Sequence, residues 1–148
     1  MLGDGEVHSG SELAATLGVS RAAVWKQLSA LRALGLKVSG EAGQGYRLDQ
    51  PYEALDKATI QGALTASAGG VLHSLRTLWE CDSTNNVLLD ALYSEPLSPG
   101  IASVCLAELQ TGGRGRRGRH WVSPPGSGVW CSVSWTWDAP PSDLSALS

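Results

Sequence analysis

The sequence predicts an α+β chain built from two segments, and three observations lead there. Apolar residues recur every three or four positions between residues 13 and 34, and two short alternating runs follow them. Between residues 71 and 137 strand-like runs alternate with one helix-like run. The loop "GGRGRRGRHW" at 112–121 interrupts the second of these regions, with a strand pattern on either side of it.

In the first segment, Ser11 is placed to cap a short helix reaching about Leu17, with Leu13 and Leu17 four apart on one face. Gly18 stops that helix, and "GVS" has the length of the tight turn in a helix-turn-helix. Ser20 caps a second helix that runs to Gly35, a residue suited to the left-handed position after a helix end. Val24, Leu28, Leu31 and Leu34 form its buried stripe, and Arg21, Lys26, Gln27 and Arg32 lie off it. "LKVSGEAGQGYRL" reads as two strands around a glycine turn, a β-wing. Ser20, Arg21, Ala22 and Lys26 open the second helix with a cap, a small residue and two cations, the layout of a DNA-recognition helix. An amphipathic hairpin used only for packing has the same periodicity. Trp25 fits either face and is left unassigned. A winged helix-turn-helix needs a preceding helix to cover the Leu13, Leu17 and Leu31 face, and "MLGDGEV" does not supply one.

Residues 49–56, "DQPYEALD", read as a polar linker. "KATIQGALTAS" is a weak helix that Gly69 and Gly70 are expected to interrupt, and "VLHSLRTLWE" is a strand ending near Glu80. "DSTNNVLLDALYSE" enters a helix through a polar turn, with Val87, Leu88, Ala91 and Leu92 on one face. "GIASVCLAEL" is a buried strand. "GVWCSVSWTW" alternates Val129, Cys131, Val133, Trp135 and Trp137 against Trp130, Ser132, Ser134 and Thr136.

Composition narrows the function classes. A 43% apolar fraction fits a globular chain, and no apolar run approaches the ~18–20 residues of a membrane span. The N-terminus lacks a secretory pattern. Cys81, Cys105 and Cys131 are too widely spaced for a zinc site and odd in number, so they read as free thiols in a reducing cytoplasm; no metal site is expected. Net charge is −3, yet four arginines stand between Arg114 and Arg119. Positive charge so concentrated points to an anion site rather than to a general polyanion face.

G-R-G-R-R-G at 113–118 formally matches a dinucleotide fingerprint, which has meaning only where a helix follows. "RHWVSPPGSG" cannot continue as a helix, so that reading fails. A loop whose amides and guanidinium forks close over phosphate remains, with an RGG-like nucleic-acid segment as the alternative.

"SRAAVWKQLSALRALGLKV…GQGYRL", "DSTNNVLL" and "AELQTGGRGRRGRHWVSPPGSGVW" resemble, in order and spacing, the bifunctional biotin protein ligase and biotin operon repressor family, and the resemblance covers nearly all of the chain. It implies a winged helix-turn-helix domain at 1–48 without its first helix, a linker at 49–56, and the N-terminal part of a mixed α/β ligase domain at 57–148. The implied activity joins biotin to ATP, with Mg²⁺, as biotinyl-5′-AMP. It then transfers biotin to a lysine of the biotin carboxyl carrier protein of acetyl-CoA carboxylase. The implied repressor is cytoplasmic, binds operator DNA and dimerises when adenylate-bound.

Motif by motif, the resemblance assigns Ser83, Thr84, Asn85 and Gln110 to biotin. Arg114, Gly115 and Arg116 go to the loop over biotin and adenylate, with Arg114 and Arg116 as catalytic residues, and Trp121 to the adenine pocket. Arg117 and Arg119 are expected to serve loop conformation or solvation. The family's "KWPND" lysine segment, its later strands and its small β-barrel are absent from the sequence. The 148 residues are therefore expected to have little or no ligase activity alone. The competing class is a DNA-binding regulator without catalysis, whose residues 49–148 sense a ligand or dimerise.

Overall fold

A computed structural model describes residues 2–41, 43–115, 117, 119 and 121–139. Two compact units divide the chain. One is Met1–Ala54 together with Pro124–Gly128, and the other is Leu55–Ser123 with Val129–Ser148.

In the first unit a single 3₁₀ turn, Leu2–Asp4, precedes α1 (Gly10–Leu17) and α2 (Arg21–Ala33). The cap of α1 is Ser9 rather than Ser11. Its hydroxyl accepts from Glu12 N, and the Glu12 carboxylate accepts from Ser9 N, a complete capping box. Ser20 caps α2 as expected, and Gly18 and Gly35 both take left-handed φ at the helix ends. The wing is β1 (Val38–Glu41) paired antiparallel with β2 (Gly45–Leu48). His8 adds an isolated antiparallel bridge to β2, exchanging two backbone hydrogen bonds with Tyr46 at 2.9 and 2.8 Å.

Leu13, Ala14, Val24, Leu28, Val38, Tyr46 and Leu48 form the core, with Leu2, Leu31 and Tyr52 packed against it. Leu17 departs from the expected stripe and is 53% exposed. It is the last residue of α1, and the left-handed Gly18 turns the chain away there. Arg32 braces the wing: its Nε donates to Val38 O at 3.0 Å and its Nη2 to Gly40 O at 3.1 Å.

His8 Nε2 lies 3.0 Å from both Asp4 carboxylate oxygens, and Nδ1 is 3.5 Å from Glu12 Oε1. Those partners, Asp4 foremost, raise the His8 pKa above its ordinary 6.5. The Glu6 amide and then His8 hold Asp4 below 3.8. A raised imidazole contributes stability that is full below 6.5 and lost as pH rises through the folded pKa. The lowered Asp4 contributes above 3.8 and loses its share as pH falls through its folded value. The thermal midpoint of this unit should therefore fall as pH rises above 6.5 in the parent chain, and His8→Gln should flatten that slope.

The second unit opens with α3 (Lys57–Ala63), capped by Asp56, and α4 (Ala66–Val71), capped by Thr65. The break between them falls at Leu64–Thr65, and not at the glycine pair. Gly69 and Gly70 sit inside the last turn of α4, where Gly69 N donates to Thr65 O at 2.8 Å and Gly69 O accepts from Leu72 N. Then come β3 (Leu72–Cys81), α5 (Thr84–Ser94), β4 (Ala102–Gln110) and β5 (Trp130–Trp135). The sheet order is β3-β4-β5. β3 and β4 are parallel and linked by the α5 crossover, and β4 and β5 are antiparallel. α5 packs on β4 and β5. The inward face of β5 is its polar row: Ser134 is buried, whereas Val133 is 62% exposed.

Among the described residues no helix is long and apolar enough to cross a membrane. The three thiols are free. Burial pushes the Cys105 pKa up to about 11.

Candidate functional site

Parallel pairing of β3 and β4 brings Cys81 level with Gln110, so the turn before α5 lies beside the end of β4. Two backbone bonds extend that pairing into the loop: Thr111 N donates to Cys81 O at 2.9 Å, and Gly112 N to Asp82 O at 2.7 Å. The start of the arginine loop is thereby tied to the Asp82–Asn85 turn.

Thr84, 3% exposed, joins the elements. Its backbone N–H and its hydroxyl both donate to Gln110 Oε1, at 2.9 and 3.2 Å. The hydroxyl lies 2.8 Å from Ser132 Oγ on β5 and, having given its proton to Gln110, accepts there. Ser83 occupies the N-cap position without a side-chain capping bond, and the Thr84 N–H is taken by Gln110. The Ser83 hydroxyl is thereby spared for other work. Gln110 Oε1 is used twice within the protein, which leaves the two amide protons of its carboxamide for a ligand.

Around these residues is a cavity of about 360 Å³ whose walls include Ser83, Asn85, Gln110, Arg114, Trp121 and Trp130. Its polar groups are neutral donors and acceptors, except for Arg114 at one edge. Asp82 lies close by. Its carboxyl is held below the ordinary range by hydrogen bonds from Asn86 and from the Ser83 amide, and to a smaller degree by the Arg114 charge.

Gly113 is where the loop needs glycine. The Trp121 indole lies flat against it, and a Cβ there would come within 2.7 Å of the indole Cγ. Trp121 in turn meets Trp130 edge to face, with centroids 5.4 Å apart at 75°. The tip closes through Gly115 N donating to Arg119 O at 3.2 Å, with Arg117 in the left-handed region. The Arg119 backbone carbonyl thus helps close the tip. Ser123, 3% exposed, clasps the far end: its hydroxyl accepts from Gln110 N and donates to Gln110 O, each at 3.0 Å. Ser123→Ala orphans both Gln110 backbone groups. It should cost this unit roughly 1–3 kcal/mol in urea unfolding, together with a marked loss of protection from proteolysis within 112–121.

Ser83, Thr84, Asn85, Gln110, Arg114 and Trp121 thus converge on one cavity. Gly115 lies in the loop tip outside its wall, and Arg116 lies outside the described residues. The sequence reading missed Trp130, Cys131 and Ser132, which β5 contributes. Their signal was the alternation of polar and apolar residues in "WCSVSW", which does not itself say which row faces inward. In the first unit Ser20 spends its hydroxyl on the α2 cap, and Arg21, Ala22 and Lys26 are exposed.

Comparison with known proteins accounts for both segments. Residues 1–47 match a model described as an HTH domain, and residues 80–148 match the biotin/lipoate A/B protein ligase family. The first segment is thus similar to helix-turn-helix domains and the second to biotin/lipoate protein ligases. It is 40% identical, over all 148 residues, to the bifunctional ligase/repressor BirA of Escherichia coli and to that of Salmonella typhimurium. To the Bacillus subtilis protein of the same description it is 33% identical over 131 residues, or 86% of this chain. The chain spans 43% of the length of the first two relatives and 38% of the third.

Proposed function

We propose that the chain is the DNA-binding and biotin-recognising portion of a bifunctional biotin ligase and repressor, with a DNA-binding domain at 1–48, a linker at 49–56 and a ligase segment at 57–148. The observation that carries this reading is the Thr84–Gln110–Ser132 network. It fixes a neutral, hydrogen-bonding cavity beside a cationic loop, which is what a ureido ring next to an acyl-phosphate requires.

Ser83, Asn85 and the Gln110 amide protons bind the ureido group, with Thr84 holding Gln110 in place. Trp121 and Trp130 flank the adenylate, and Gly115 lets the loop backbone approach it. In the reaction an oxygen of the biotin carboxylate attacks the α-phosphorus of ATP, forming the mixed anhydride as pyrophosphate leaves. Arg114 and Arg116 neutralise charge developing on the α-phosphate. The lysine amine of a biotin carboxyl carrier protein then attacks the acyl carbon, and AMP departs. Mg²⁺ accompanies the nucleotide phosphates. Among the described residues no three His, Cys, Asp or Glu side chains converge on a metal position.

Arg21 and Lys26 bind operator phosphates, with Ser20 and Ala22 allowing close approach, and the adenylate-bound form dimerises in the cytoplasm. The 148 residues bind ligand but are not expected to adenylate biotin efficiently alone.

Cys131 provides the test, because it lines the cavity and is exposed. Biotinyl-5′-AMP should slow alkylation of Cys131 at least about fivefold relative to AMP alone, since a bound ligand removes the thiol from the reactive, accessible state. Equal rates with both ligands would overturn the assignment of this cavity.

A further inference from the structure

Trp25 stands on the outward face of α2 and is 59% exposed, whereas Val24 beside it and Leu28 are each 2% exposed in the core. Its indole edges a concavity of about 360 Å³ formed with Arg21, Ala22, Gly10, Gly43 and Tyr46, between the two helices and the wing. Among the described residues the ring pair is Trp121 with Trp130, so Trp25 packs against no other aromatic ring. Water therefore faces a large apolar side chain with exposed Arg21 and Lys26 beside it on α2.

Cations around an exposed indole suit a partner that is anionic outside and apolar within reach. Duplex DNA meets both conditions: its phosphates flank a major groove about 12 Å wide, which admits an α-helix. Arg21 is the first residue of α2 and Trp25 lies one turn further along it, so a helix entering the groove would bring both to the DNA together. The one apolar feature that base pairs present there is the thymine C5-methyl group.

We propose that Trp25 is a specificity-determining residue that reads a thymine methyl in the major groove. The inference rests on the DNA-binding reading of residues 1–48 and adds to it the residue and the base. Arg21 and Lys26 hold the backbone of any sequence, and Trp25 chooses among sequences.

The test starts from a pool of duplexes with a randomised centre, selected on the full chain and on Trp25→Ala. The parent chain should enrich a fixed thymine. Replacing that thymine by deoxyuridine, which lacks only the methyl, should weaken parent binding about tenfold. Trp25→Ala should bind the two duplexes equally, near the parent's affinity for the deoxyuridine form, and Trp25→Phe should keep part of the discrimination. Circular dichroism melting should be unchanged in both variants, because the side chain is exposed. If Trp25→Ala discriminates between the two duplexes as the parent does, the inference is overturned and the DNA-binding reading stands. If no duplex is enriched by the parent, both fall.

Discussion

Thr84→Val is expected to lower the stability of the Leu55–Ser123 and Val129–Ser148 unit by roughly 0.5–1.5 kcal/mol, the net worth of a hydrogen bond whose partners are half-buried. Valine keeps the volume and the backbone N–H but not the hydroxyl. Ser132 loses its 2.8 Å partner, and Gln110 Oε1 loses one of its two donors. Gln110 is then free to turn, so affinity for a ureido ligand should fall as well, by about tenfold if one oriented hydrogen bond is lost. Thr84→Ser should retain most of both. Urea unfolding followed by tryptophan emission reads the first effect, and titration calorimetry the second. A Thr84→Val chain with parental stability and affinity would show that the network does not position Gln110.

The larger effect on stability is expected in the other unit. Leu28 is 2% exposed at the centre of the cluster of Leu13, Val24, Val38 and Tyr46. Leu28→Ala should cost roughly 2–5 kcal/mol through lost burial and the cavity left behind. A unit of this size has a small core to draw on, so the helix-turn-helix should be largely unfolded at 37 °C and DNA binding lost. Because the cavity beside α5 is built only from residues of the second unit, ligand binding there should persist. Loss of both activities in Leu28→Ala would mean that the two units unfold as one.

Most of the fold could be read from the sequence where a local signal and the tertiary environment agree. Ser20, the α2 stripe and the wing are such cases: cap, period and glycine turns each have one structural meaning. Leu17 and Ser11 are the opposite case. Helical period places Leu17 beside Leu13, but period says nothing of where the chain turns away. Ser9 lies three residues before Glu12, and that spacing distinguishes it from Ser11 as the cap. Gly69 and Gly70 were expected to break a helix, yet the break formed where Thr65 offered a new cap.

In the candidate site, Ser83 through Asn85, Gln110, Arg114 and Trp121 could be located by motif because they cluster in two short runs. Ser132 and Trp130 could not. Their place depends on which face of β5 meets α5, and the polar face is the buried one, contrary to the usual direction of alternation. What satisfies Ser132 is a hydroxyl 48 residues earlier in the chain, a pairing that only the folded sheet creates.

The most direct measurement is isothermal titration of biotinyl-5′-AMP into the 148-residue chain and into its Asn85→Ala, Arg114→Ala and Arg116→Ala variants. One binding site per chain is expected, with affinity reduced at least about tenfold in each variant, the loss that follows when a charged or oriented polar contact is removed. Affinity unchanged in all three variants, or no heat of binding from a chain whose second unit is folded, would contradict it.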